Sequence, residues 1–237
     1  KGHIALPFLI TIFLGLVIVG GFAIWMWGNL GYGKEKKPPT PTAREVDTAT
    51  SENNHTILFI LDEPNKKSSS TFVLMRSIPV KKQILFIGIP TNTIAVVDEQ
   101  QQSLKNAYDR GDSTAAVNFV QKILGVEIDR YMKFDSAAFQ KICDIFGGVS
   151  YPVDVEIPGV ISDGSQQSLS STQIETLVTY PLFSNGEVER AFTAASVISS
   201  MVNQADGERI ADRFDNNFET IINMTSSDIT SLDYRNN

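Results

Sequence analysis

Residues 84–89 (Ile-Leu-Phe-Ile-Gly-Ile) form an unbroken apolar run that stops at Pro90. A run of this length and character suits a strand covered on both faces. The proline behind it cannot donate to a sheet ladder, so the strand has to end there. A chain built around such a strand must supply apolar layers on two sides of one sheet.

The neighbouring sequence offers those layers. Residues 56–61 and 71–78 are two more apolar runs of strand length, and Pro79-Val80-Lys81-Lys82 reads as the hairpin turn between the second and third. Ala116, Phe119, Val120, Ile123 and Leu124 recur at helical spacing. Asp112 or Ser113 can cap that helix and Gly125 can end it. Residues 130–134 form a short strand. Asp135 or Ser136 then opens a helix carrying Phe139, Ile142, Cys143 and Phe146, closed by Gly147-Gly148.

Residues 149–157 read as a strand arm broken near Pro152, and 159–170 as a polar loop. Thr172 and Glu175 have capping-box spacing for the next helix. Asn185 can cap a longer one, with Val188, Ala191, Phe192, Ala195, Ile198 and Val202 inward. A further helix follows Asp206, and the tail from Ser226 is expected to add a short one. Strands mixed with helices predict a layered α/β/α domain around a central mixed sheet.

The amino-terminal part is different. Residues 4–27 hold no charged side chain over 24 positions, long enough to cross a bilayer core with some tilt. Trp25 and Trp27 sit at one end, where amphipathic rings favour the interface. A cleaved signal peptide is the alternative, but the run exceeds a usual signal core and no clear cleavage site follows. Residues 1–28 are therefore expected to be a membrane anchor and 29–54, with Lys-Pro-Pro-Thr-Pro-Thr at 37–42, a linker. Residues 55–237 form the domain. Lys34, Lys36 and Lys37 follow the span and only Lys1 precedes it, so the positive-inside rule alone would put the carboxyl side in the cytoplasm.

Several chemistries are excluded. All 27 acidic residues and 19 of the 20 basic ones follow the span, a net charge of −8. Such a domain is a poor nucleic-acid binder. His3, His55 and Cys143 are the only residues of their types, too few for a Cys/His zinc site. The lone cysteine, at an apolar helix position, reads as core packing. There is no nucleophile elbow, Walker loop or glycine fingerprint.

Four segments occur in a telling order. They are Ile89-Pro90-Thr91-Asn92-Thr93, Asn106-Ala107-Tyr108, Leu-Gly-Val-Glu-Ile-Asp-Arg-Tyr at 124–131, and Phe-Gly-Gly-Val at 146–149. Together they resemble the LytR-CpsA-Psr (LCP) family of bacterial cell-envelope proteins. The likeness runs from about residue 56 to 201, and loosely to 227. It implies an amino-terminal span with the domain outside the cytoplasm, at the cell membrane. It also implies transfer of a glycopolymer from a polyprenyl pyrophosphate carrier to peptidoglycan. Arginines would grip the pyrophosphate, acidic residues would hold Mg²⁺, and an apolar tunnel would hold the lipid.

Guanidinium groups and a hard cation would stabilise a pyrophosphate leaving group. By that resemblance Asp62 and Glu63 fall at the metal and ligand positions. Thr91 and Asn92 replace the family's Arg-Asp pair. Arg190 matches one retained arginine, with Thr193 and Ala194 where Arg-Gln is usual, and Asn65 and Ser68 replace further charged positions. Losing one charge-assisted phosphate contact costs roughly 1.5–3 kcal/mol. Losing several points to a degenerate member that binds a polyprenyl-linked or envelope ligand without efficient catalysis.

The alternative is an active phosphotransferase with a remodelled site, using Arg190, Asp62, Glu63 and Mg²⁺. Arg76, Lys105 or Arg110 would supply the replacement charge, although a solvated edge position is the simpler reading of Arg76. Arg190 has a second reading of its own, an ion pair with Glu187 at i, i+3.

Overall fold

The computed structural model describes residues 50–51, 54–62, 69–97, 99–212 and 214–229. The expected span, almost all of the linker and Glu63 lie outside the described residues.

Three strands, β1 (His55–Leu61), β2 (Thr71–Ile78) and β3 (Gln83–Ile89), pair antiparallel in sequence. A one-turn 3-10 segment, Pro79–Lys81, makes the last hairpin, and Lys82 closes it in the left-handed region at φ 52°. A short hairpin follows, β4 (Ile94–Val97) with β5 (Gln100–Ser103). Helix α1 (Leu104–Leu124) leads to β6 (Arg130–Phe134), which pairs parallel to β1. Helix α2 (Ser136–Phe146) precedes a hairpin of β7 (Val149–Pro152) and β8 (Gln166–Leu169). Then come α3 (Ser171–Thr179), α4 (Gly186–Gln204), α5 (Gly207–Asp212), α6 (Phe214–Met224) and β9 (Thr225–Ser227). The main sheet has the order β3-β2-β1-β6-β9, so it is mixed, as expected.

Alternation along the strands builds two cores. Ile57, Phe59, Leu61, Val73 and Met132 face α2, α3 and α4. Leu58, Ile60, Phe72, Leu74 and Ile89 face α1. The result is the layered α/β/α arrangement. Cys143 lies in the first core, and burial pushes its thiol pKa up to about 12, which keeps it unreactive.

Helix ends follow local chemistry. Asp135 caps α2 by accepting from the Ala138 amide, and Gly147 ends it at φ 90°. Gly125 ends α1 at φ 63°. Helix α1 starts earlier than its apolar stripe suggests, because Ser103 caps it through the Asn106 amide. It also breaks at Asp112 (φ 57°, ψ −153°), so its two halves meet at a kink.

Several expectations are corrected. The run at 84–89 is the sheet edge and not a central strand, with Leu85 and Ile87 47% and 48% exposed. Its face carrying Ile84, Phe86 and Gly88 is partly buried under α4, while α1 sits over the middle strands. Arg76 lies on interior strand β2, not at an edge. The polar stretch 159–170 contains β8, paired with β7. The capping box of α3 is Ser170 with Gln173, two residues before the expected pair.

On α4 the buried face is rotated. Val188 and Phe192 are 69% and 72% exposed, whereas Arg190, Ala191, Ala194, Ala195, Met201 and Val202 are buried. Small residues win that face because the helix lies very close to β3: a Cβ added at Gly88 would stand 1.8 Å from the Ala191 carbonyl oxygen. Larger side chains could not approach so near.

Candidate functional site

The turn after β3 is held against two helices. Thr93 N–H donates to the Pro90 carbonyl at 3.1 Å, and Lys105 N–H donates to the Thr91 carbonyl at 2.9 Å. Thr91 is thereby fixed next to the amino end of α4. Its backbone N–H donates to Glu187 Oε2 at 3.2 Å, and its hydroxyl donates to the same oxygen. Asn92, on the same turn, is exposed.

Arg190 sits one helical turn beyond Glu187 and is 1% exposed. Its guanidinium has five N–H groups, and each has a protein acceptor. Nε donates to Glu187 Oε1 at 2.9 Å and Nη2 to Glu187 Oε2 at 2.8 Å. Nη1 donates to Thr71 Oγ1 at 3.0 Å and to the Val178 carbonyl at 3.2 Å. The last donor of Nη2 meets the Ser70 carbonyl at 3.1 Å. The ion pair read from i, i+3 spacing is present, and the guanidinium also ties α4 to β2 and α3. Burial disfavours the charge on Glu187, but hydrogen bonds from Arg190 and Thr91 outweigh it. They hold its pKa below the usual carboxylate value.

Directly beneath lies an apolar cavity of about 60 Å³. Its walls include Phe59, Val73, Met132, Phe146, Ile198 and Val202. Thr71 is the polar residue among the described lining residues, and its hydroxyl is the one that Arg190 meets. Val178 also lines the space and its carbonyl also accepts from Arg190, so the cavity and the buried guanidinium share two neighbours.

Asp62 follows β1 on the other face of the sheet, toward α1. Its carboxylate lies 3.4 Å from Lys133 Nζ, and Asp112 Oδ1 lies 2.9 Å from the same ammonium. The ammonium also stands 5.3 Å from the centre of the Tyr108 ring, within cation–π range. Burial pushes the Tyr108 hydroxyl up to about 12, with Lys133 pulling it back and Asp62 adding to the rise. Burial opposes the charge on Lys133, yet Tyr108 and the carboxylates of Asp112 and Asp62 hold its pKa above the usual lysine value.

The structure thus brings Thr91 and Arg190 together, through Glu187, and places Asp62 in a separate cluster. Among the described residues, no three His, Cys, Asp or Glu side chains converge in a way that could hold a metal. The sequence marked Glu187 only as a partner for Arg190 and Tyr108 only as part of the Asn106-Ala107-Tyr108 segment, and it did not mark Lys133. Glu187 carried a signal, its i, i+3 spacing. Lys133 carried none, because its partners come from segments joined only by the fold.

The cluster of Thr91, Glu187 and Arg190, polar and charged, stands beside an apolar cavity on the same face of the sheet, a layout suited to an amphipathic ligand. The chain belongs to the LytR-CpsA-Psr family, whose sequence profile matches residues 31–233. It is 25% identical over 197 residues to biofilm regulatory protein A of Streptococcus mutans serotype c, covering 73% of this chain and 47% of that protein. It is 26% identical over 156 residues to the polyisoprenyl-teichoic acid–peptidoglycan teichoic acid transferase TagU of Bacillus cereus, covering 60% and 51%. The chain spans about half the length of these curated relatives. A crystal structure described as a putative transcription regulator from Eubacterium siraeum shares the fold. Its TM-score is 0.65 at 18% identity, over 85% of this chain and 81% of that one.

Proposed function

We propose that this protein is a membrane-anchored LCP protein, with its domain outside the cytoplasm, that holds a polyprenyl-linked envelope ligand without efficient transfer. The uncharged run at 4–27 supplies the anchor in this reading. The lipid chain enters the apolar cavity. The name of the Bacillus cereus relative, a polyisoprenyl-linked teichoic acid transferase, supports a ligand of that class.

One observation carries the non-catalytic part. Arg190 is the retained arginine, yet all five of its donors already have protein acceptors. The Glu187 carboxylate lies between it and Thr91, where the resemblance puts a second arginine. An anion is already in place, and it belongs to the chain. A phosphate would have to displace a bidentate, charge-assisted pair from a buried guanidinium.

The test uses the full chain in lipid nanodiscs. Native mass spectrometry measures occupancy by polyprenol, polyprenyl phosphate and polyprenyl pyrophosphate. The expected result is similar occupancy by all three, with no phosphate or pyrophosphate released when peptidoglycan and Mg²⁺ are added. Mg²⁺-dependent release that a folded Arg190→Met variant loses would establish a transferase instead.

A further inference from the structure

The Asp62 cluster contains an arrangement that the pair of Glu187 and Arg190 does not explain. Lys133 sits on β6 in register with Ile60, beside the chain's exit from β1 at Asp62. Its ammonium bridges two carboxylates that come from different elements, Asp62 after β1 and Asp112 in the middle of α1. Tyr108, one turn earlier on α1, covers the ammonium with its ring.

Asp112 reaches this position only through an unfavourable backbone. Its φ of 57° with ψ of −153° is a conformation that essentially glycine alone adopts freely. The preceding residue is a glycine, Gly111, yet the strained position itself carries the aspartate. The kink therefore delivers a carboxylate to Lys133.

Two oxygens from separate elements, converging at 2.9 and 3.4 Å on one positive centre, resemble the start of a coordination shell for a hard cation. Here the centre is an ammonium. A divalent ion bound by the same oxygens would meet the ammonium's charge at contact distance, so the residues present do not fit a metal there. We propose that Lys133 is a built-in cation: it stands between Asp62 and Asp112 where a divalent metal would otherwise sit, and makes this end of the sheet metal-independent. The proposal is independent of whether a lipid occupies the cavity, which lies on the opposite face.

The test is metal binding by the full chain and by its Lys133→Met variant, which keeps the side-chain bulk and removes the charge. Two readouts serve: the Mg²⁺-dependent rise in Tm, and terbium luminescence excited through Tyr108. The native chain is expected to show neither. Lys133→Met is expected to gain both, and to lose them again when Asp112→Asn is added. If Lys133→Met is unfolded in chelator, Mg²⁺ is expected to restore its folding. Two results overturn the proposal. One is saturable Mg²⁺ binding by the native chain that Asp62→Asn removes. The other is a Lys133→Met variant that, folded or unfolded, does not respond to metal. Lipid occupancy plays no part in either readout, so failure here leaves the ligand-binding reading to its own experiment.

Discussion

Glu187 and Arg190 form a bidentate ion pair across one turn of α4, and the same carboxylate accepts from both donors of Thr91. This makes Glu187 a titratable element of stability. An unfolded glutamate titrates near 4.5, and the folded value is lower. A depressed carboxylate pKa contributes stability that is fully present above the unfolded value. That stability is lost as pH falls through the folded value. Urea midpoints measured down the acid limb are therefore expected to drop below pH 4.5. Glu187→Gln, which cannot titrate, is expected to flatten that limb and to lower stability at neutral pH. It also removes the internal anion, so inorganic pyrophosphate should protect the variant against unfolding more than it protects the native chain.

Arg190→Lys is expected to behave as a severe substitution despite keeping the charge. An ammonium has three donors and no fork. It cannot meet Glu187, Thr71 Oγ1 and the Ser70 and Val178 carbonyls together. Each buried acceptor left unmatched costs about 1–3 kcal/mol, so a loss of about 2–4 kcal/mol should appear in urea denaturation. Replacing the pair together, by Glu187→Leu with Arg190→Met, is expected to cost less than Arg190→Met alone but to stay below the native stability, because the Ser70 carbonyl and both donors of Thr91 still lose their partners. An apolar pair avoids the uncompensated buried charge.

The first three strands were legible because their apolar runs and turn residues are local, whereas the polar strands β5, β8 and β9 carry no such run. Residues 56–61, 71–78 and 83–89, the Asp135 cap and the Gly125 and Gly147 stops all follow from near neighbours in sequence. The errors arise where a distant segment decides. Along α4, Val188 and Phe192 form one apolar stripe and the alanines another, and periodicity alone cannot choose between them. Gly88 on β3 chooses, by admitting Ala191. Arg190 is buried on that same face only because acceptors 12 to 120 residues away along the chain converge on it. The edge position of β3 likewise depends on strand order, which its apolar composition does not encode.

Filling the cavity separates lipid binding from folding. Ile198 lines the apolar space from α4 and is partly buried. Ile198→Phe places a ring in a volume of about 60 Å³. Part of the added bulk occupies empty space, so the stability change should stay within about 1–3 kcal/mol, the usual range for overpacking. Lipid retention in nanodiscs should fall sharply while the far-ultraviolet circular dichroism is unchanged. Lipid retained at native occupancy would place the lipid elsewhere on the protein.

Asp112→Gly sets backbone strain against an ion pair, and the magnitudes decide the sign. The aspartate's conformation costs about 1–3 kcal/mol, which glycine relieves. Its salt bridge to Lys133 is short, at 2.9 Å, but the Asp112 side chain is 67% exposed. A pair so open to water contributes about 0–1 kcal/mol. Glycine adds a further entropy cost in the unfolded chain of about 0.4–1 kcal/mol. At the middle of each range, about 2 less about 0.5 less about 0.7, the balance favours the variant by about 1 kcal/mol, read as a small rise in the urea midpoint. Asp112→Asn keeps the strain and loses the charge, so it should be the less stable of the two. If Asp112→Gly is instead the less stable, the carboxylate contributes more than a surface ion pair. The kink would then be maintained by its bond to Lys133.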